Sequence, residues 1–157
     1  MSNIVRVFIY DELINEKVYK EQGLTFTTKY SVTLSAWKRV FNKIPIDNEG
    51  IEGLGHANIE PTHDNLGMMI GMIYEFEEEK LPELDKHYCC PDEYDRKIMD
   101  FTRHDFSQTK AYIYVAQKDK VQDGLKPSKA MMKKYRGAKK NFDMLHFSRL
   151  MNTPTVD

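Results

Sequence analysis

The sequence predicts an α+β fold. Strand-like segments fill most of the first three quarters of the chain, while helical patterns gather towards the end, so the regular alternation of an α/β sheet is missing. No repeat, low-complexity tract or Pro/Gly-rich linker divides the 157 residues, a length that suits one domain spanning 1–157. Hydrophobic residues make up 41% and charged residues 30%, the balance of an ordinary globular protein with a real core.

Each element follows from local pattern. Ile4 to Tyr10 is β-branched and aromatic on both faces apart from Arg6, which predicts an interior strand. Leu13 to Gln22 predicts a helix stopped by Gly23. Ser31 to Ile44 reads as extended chain through Trp37, ending at Pro45. The Asp, Asn and Gly residues of Asp47 to Gly55 predict a loop, and His56 to Ile59 a short strand before Pro61. Met68 to Phe76 predicts a buried strand with Met68, Ile70, Met72, Tyr74 and Phe76 on one face. Glu77, Glu78 and Glu79 lead into a short helix with Pro82 in its first turn, where proline is tolerated and negative charge is favourable. Leu81, Leu84 and Tyr88 share a face of that helix. Tyr94 to Phe101 and Lys110 to Val115 predict two strands joined by a polar turn. Ser128 predicts the cap of a helix running to about Lys140, and Asp143 the cap of a last helix through Met151.

Composition narrows the function. A formal charge of −1 gives no overall field that would draw the chain to nucleic acid, and no apolar run approaches the roughly 20 residues needed to cross a bilayer. The N-terminus lacks the pattern of a signal peptide. Cys89 and Cys90 are adjacent, which disfavours a structural disulfide between them, so a reducing cytosol is the expected location. His87, Cys89 and Cys90 match no structural zinc spacing, and neither a metal nor a cofactor is expected. The basic stretch Lys129, Lys133, Lys134, Arg136, Lys139 and Lys140 reads as a solvated helix face, and the late methionines as core filling.

Four segments in order carry a further signal. They are Phe8-Ile9-Tyr10-Asp11-Glu12-Leu13; Gly55-His56-Ala57-Asn58-Ile59 with Gly71-Met72-Ile73-Tyr74; Leu84-Asp85-Lys86-His87-Tyr88 followed by Tyr94 and Arg96; and Pro127-Ser128 with Gly137-Ala138-Lys139 and the Leu145 to Leu150 helix. Together they resemble the γ-glutamylcyclotransferase family. The resemblance implies a small mixed β-barrel flanked by helices, with a pocket beside the end of the first strand.

It also implies roles. The family's loop after the first strand presents a glycine and backbone amides to a substrate carboxylate, and Asp11 stands at that glycine, with Glu12 beside it. The family's general base is a glutamate at the position of Tyr88. It takes a proton from the substrate's α-amino group so that the amine closes a 5-oxoproline ring. A base of that kind contributes about 10²–10⁴-fold. A tyrosine of ordinary pKa is ionised at roughly one part in a thousand at pH 7, and neighbouring acids raise its pKa further. The expectation is a family pocket that binds a small molecule, or acts on one by altered chemistry, through Tyr10, Asp11, Glu12, Leu13, Tyr88, Tyr94 and Arg96.

Each residue has a plainer reading. Asp11 and Glu12 can simply face solvent, Tyr88 can belong to the core, and Arg96 can be paired with a neighbouring carboxylate. Phe147 stands where the family has a tyrosine in its last helix. Two other functions stay open: an active cyclotransferase whose substitute base is Glu93, Asp92, Glu12 or Asp11, and a noncatalytic protein-interaction module. A small-molecule ligand is expected, and neither nucleic acid nor a membrane.

Overall fold

The computed structural model of the chain describes residues 3–64 and 67–157. Its strands are β1 (Ile4–Ile9), β2 (Thr28–Ser35), β3 (Trp37–Lys43), β4 (His56–Pro61), β5 (Met68–Glu77), β6 (Tyr94–Thr102) and β7 (Gln108–Ala116). Its α-helices are α1 (Glu16–Glu21), α2 (Leu81–His87), α3 (Lys129–Arg136) and α4 (Met144–Met151). Five strands form a closed barrel in the order β1-β5-β2-β6-β7, and β3 and β4 form a separate two-stranded sheet. The barrel is mixed: β1 closes onto β7 in parallel, at Val7↔Tyr112 and Phe8↔Ile113, while the other pairings are antiparallel. The α+β class and the small flanked barrel are therefore as expected.

Packing explains the closure. Phe8 pairs across from Ile73 and stacks on Phe101 with ring centroids 4.4 Å apart. Gly71 makes room for it, since a Cβ there would sit 2.4 Å from Phe8 Cζ. On the opposite side of β5, Tyr74 lies flat on Tyr19 of α1, with ring centroids at 4.1 Å. Several buried tyrosines end on backbone carbonyls: Tyr10 on Tyr114, Tyr74 on Leu13 (2.8 Å), Tyr94 on Ala57 (2.8 Å) and Tyr135 on Tyr10 (3.1 Å). Each hydroxyl so satisfied costs the core little, and it ties one element to another.

The structure corrects several boundaries. The extended run Ser31 to Ile44 is two strands in different sheets. Ala36, at φ 68°, turns the chain out of the barrel, held by Ala36 N–H on the Gly67 carbonyl at 2.6 Å. The helix expected from Leu13 is a 3-10 turn, Glu12–Ile14, followed by the shorter α1. Asn15 interrupts them because its side chain accepts from the Lys17 amide at 3.1 Å, an alternative to helical bonding. Gly23, at φ 78°, ends the segment as expected.

α3 stops at Arg136 rather than Lys140. Asn15 Nδ2 takes the Lys134 carbonyl at 2.9 Å and packs where a Gly137 Cβ would lie, so this end of the helix is capped from the loop after β1. A 3-10 turn, Lys139–Asn141, follows. The expected caps at Ser128 and Asp143 are present, accepting from Met131 and His146 amides. Met68, expected among the buried residues of its strand, is 50% exposed at the strand's start. Among the described residues no helix is long and apolar enough to cross a membrane.

Candidate functional site

A cavity of about 290 Å³ opens between the loop after β1, the end of α2 and the starts of β4 and β6. Asp11, Glu12, Tyr88, Glu93 and Tyr94 line it, together with Lys43, Asp47, His56 and His87. The structure thus brings together most of the residues singled out in the sequence. Tyr10, Leu13, Asp92 and Arg96 are not in the lining. Tyr10 lies underneath, its hydroxyl bonded to the Tyr114 carbonyl. Arg96 is paired with Asp85, the plainer of its two readings.

Tyr88 is the C-terminal cap of α2, and this position aims its ring back at the β1 loop. The ring stacks on Tyr114 at 4.4 Å and meets Tyr94 edge-on at 5.4 Å. Its hydroxyl donates to Asp11 Oδ2 at 2.8 Å. Tyr88 is thus both core and site, 8% exposed with one polar atom facing the loop.

Asp11 turns its other oxygen onto its own loop. Oδ1 accepts the Leu13 amide at 3.0 Å, while the Ile14 and Asn15 amides end on the Asp11 and Glu12 carbonyls, both at 3.1 Å. An Asx cap of this kind is a favourable start for a helical turn. Its consequence is that the N–H groups of Leu13, Ile14 and Asn15 are all bonded within the loop. The Asp11 carboxylate is itself engaged on both oxygens, by the Leu13 amide and by the Tyr88 hydroxyl.

The electrostatics follow from burial. Burial raises the Asp11 pKa, against the opposing pull of the Tyr88 hydroxyl and the Leu13 amide. Glu12 is pushed up to about 7, first by burial and then by Asp11. The Tyr88 hydroxyl is held well above its ordinary value by burial and by Asp11, which removes it as a base near neutrality. His56 and His87 are lowered by burial, so they add no strong positive charge at pH 7.

Lys43 is the fixed cation of the lining and is 2% exposed. Its ammonium donates to Glu93 Oε1 at 2.9 Å and to the Ile44 carbonyl, and lies 5.4 Å from the Tyr94 ring centroid. Lys120 reaches the second Glu93 oxygen at 3.5 Å. Glu93 is held below the usual carboxylate range chiefly by Lys43, which makes it a weak proton acceptor.

Lys43, Arg39 and Tyr135 were not found from sequence. Lys43 and Arg39 share a face of β3 with Phe41, and a charge in phase with apolar neighbours was the available signal. Arg39 Nε and the Tyr135 hydroxyl both donate to the Tyr10 carbonyl, at 2.7 and 3.1 Å, so they fix the peptide that enters the Asp11 loop. Tyr135 lies on the buried face of α3 with Met131 and Met132. The hydroxyl beside the site therefore comes from α3, while Phe147 of α4 packs against Phe142 away from the cavity.

The family model for γ-glutamyl cyclotransferase, AIG2-like proteins matches residues 7–136, a span running from β1 to the end of α3. The chain belongs to that family. Among curated proteins, none matches it. In solved structures the fold recurs in an uncharacterized protein from Homo sapiens, at 14% identity and a TM-score of 0.84, covering 97% of this chain and 89% of that one. It recurs in a γ-glutamyl cyclotransferase at 15% identity and a TM-score of 0.81, covering 98% and 89%. A yeast γ-glutamyl cyclotransferase specific to glutathione is similar at 12% identity and a TM-score of 0.68, covering 96% and 95%. At such identities the likeness of this family member to its neighbours is one of fold.

The raised Glu12 carboxyl gives a measurable pH dependence. A carboxyl whose folded pKa lies above its unfolded value contributes stability below the unfolded pKa, and that stability is lost as pH rises through the folded one. Glu12 therefore costs the fold stability between about 4.5 and about 7. Glu12→Gln is expected to leave stability at pH 4 nearly unchanged and to raise it at pH 8 by about 1–3 kcal/mol, read from urea midpoints.

Proposed function

We propose that this family member uses the cavity under the Asp11 loop to bind a small molecule rather than to cyclise a γ-glutamyl substrate in the family's usual way. The observation that carries the reading is the Tyr88–Asp11 hydrogen bond at 2.8 Å. It joins the position that the resemblance gives to the general base with the position that it gives to the anion cradle. Tyr88 is held protonated there, and the loop's amides are bonded to the loop itself. Binding requires complementarity and no base, so both features are compatible with it.

The lining suggests the ligand's chemistry. Asp11, Glu12, Asp47 and Glu93 face the cavity, Lys43 is paired to Glu93, and the two histidines are lowered. Such a wall favours a ligand that presents an amine or other hydrogen-bond donors, and it repels a free carboxylate. The setting proposed is a reducing cytosol, in keeping with the two free cysteines.

A second reading is an active cyclotransferase with a substitute acid. Glu12 favours it, since it lines the cavity and titrates near 7, where a general base works best. Of the other acids, Glu93 is held by two lysines, Asp92 is outside the lining and Asp11 is engaged by Tyr88.

A thermal-shift panel of amines and amino acids, run beside their N-acetylated forms, tests the first reading. A bound amine at 100 times its dissociation constant stabilises the fold by about 2.7 kcal/mol, and the acetylated form is expected to lose that effect. Release of 5-oxoproline from γ-glutamyl amines or peptides, abolished by Glu12→Gln, would establish the second reading instead.

A further inference from the structure

A second cavity, also of about 290 Å³, lies beside Arg39 between β3, β5 and α4. Its basic lining is Lys38, Arg39, His146 and Arg149, and it contains no carboxylate. Phe41, Ile70, Phe142 and Leu150 supply an apolar wall.

Arg39 is the centre of this site. Nε donates to the Tyr10 carbonyl and one Nη to the Ile70 carbonyl, both at 2.7 Å, and the Tyr135 hydroxyl lies beside the guanidinium. All three partners are neutral oxygens. No carboxylate comes within 4 Å of Arg39 among the described residues, in contrast to Arg6, Arg96 and Arg103. Burial lowers its pKa, yet an arginine so placed is still charged at neutral pH. A guanidinium carries five N–H donors, so two hydrogen bonds to carbonyls and one neighbouring hydroxyl leave donor capacity over. His146 already has an acidic partner in Asp143, at 2.7 Å. Among the described residues no carboxylate lies within 4 Å of Lys38 or Arg149, which leaves three cations around one opening.

We propose that this cavity is a binding site for a small organic anion. A carboxylate or phosphate group sits against the free donors of Arg39, flanked by Lys38 and Arg149, and an apolar body packs against Phe41, Phe142 and Leu150. The planar guanidinium suits two-point contact with either group. Within the chain the Arg39 charge is balanced only from beyond hydrogen-bonding range by Asp11 and by the rings of Tyr135 and Phe142, and an anion at this point adds the direct partner. The site is independent of what occupies the first cavity, although the two meet at the Tyr10 carbonyl that Arg39 holds.

The test is a titration of the full chain, followed by amide NMR shifts, with phenyl phosphate, with benzoate and with neutral benzyl alcohol. One of the two anions is expected to saturate, with shifts at Lys38, Ile70 and Phe142, and the tighter of the two identifies the preferred group. Lys38→Gln and Arg149→Gln, both at exposed positions, are each expected to weaken it by about 2–5-fold. Arg39→Gln is expected to weaken it by about 10-fold or more. Should Arg39→Gln fail to fold, the Lys38→Gln/Arg149→Gln double variant decides. The proposal is overturned if neither anion saturates by about 10 mM, a free energy too small for a built site. It is equally overturned if benzyl alcohol binds as well, if the shifts gather at Asp11 and Tyr88, or if the double variant binds like the wild type.

Discussion

Tyr88→Glu combined with Asp11→Gly is expected to raise 5-oxoproline release from a γ-glutamyl amine by about 10²–10⁴-fold over the wild type. The family resemblance assigns a proton-accepting glutamate to position 88, at the end of α2, where the side chain already points at the β1 loop. Removing the Asp11 side chain releases the Leu13 amide and takes a carboxylate out of the cavity. The surrounding frame stays: Tyr94 on the Ala57 carbonyl, and Tyr114 and Arg96 on Asp85.

The single changes are expected to do little. Tyr88→Glu alone places a second carboxylate beside the buried Asp11, and their repulsion disfavours ionising both. Asp11→Gly alone leaves no base at position 88. The effect is thus strongly non-additive, and a double-mutant cycle on 5-oxoproline release measures it. A double variant that folds and shows no gain would mean that the rest of the site has also lost competence.

Glu93→Gln is expected to destabilise the protein by about 1–3 kcal/mol, the cost of removing the charge that balances Lys43 while leaving a neutral acceptor in its place. The amide oxygen can still accept from the Lys43 ammonium, beside the Ile44 carbonyl and the face of Tyr94, but it carries no charge to balance it. Lys43→Met is expected to cost less, because Glu93 retains Lys120 and is 14% exposed. Urea denaturation at pH 7 checks both.

The pH profile gives a further signature. Glu93 is held low by Lys43, so the pair's stability is present above the ordinary carboxylate range and is lost as acid titrates the carboxylate. Its sign is opposite to that of Glu12, which lowers stability as pH rises towards 7.

The fold was legible in the sequence where periodicity was unambiguous. β1, β5, β6 and β7 lie where β-branched and aromatic runs place them, with ends shifted by one or two residues. Two of the errors came from contacts made across the fold. Ala36 offers no local sign that β2 and β3 belong to different sheets, because the turn is held by Gly67, distant in sequence. α3 ends early through Asn15, about 120 residues away along the chain. Part of the cavity's lining was legible as a set of positions, through the ordered family segments. What remained hidden was which groups bond to each other: the Tyr88–Asp11 bond and the Arg39 hold on Tyr10 join residues dozens of positions apart.

The tyrosine hydroxyls that end on carbonyls set the alkaline limit of this protein. A carbonyl oxygen only accepts, so each of these bonds exists only while the phenol keeps its proton. Burial raises Tyr10, Tyr74, Tyr94 and Tyr135 above the ordinary phenol range, and the stability these bonds contribute is therefore intact below pH 10 and falls as pH climbs beyond it. Because these phenols tie the β1 loop, β4, β5 and α3 together, they deprotonate as a group when the structure opens. Titrated with base, the protein is expected to keep these buried phenols silent in the ultraviolet until the barrel comes apart, and a phenolate absorbance that rises together with the loss of structure checks it.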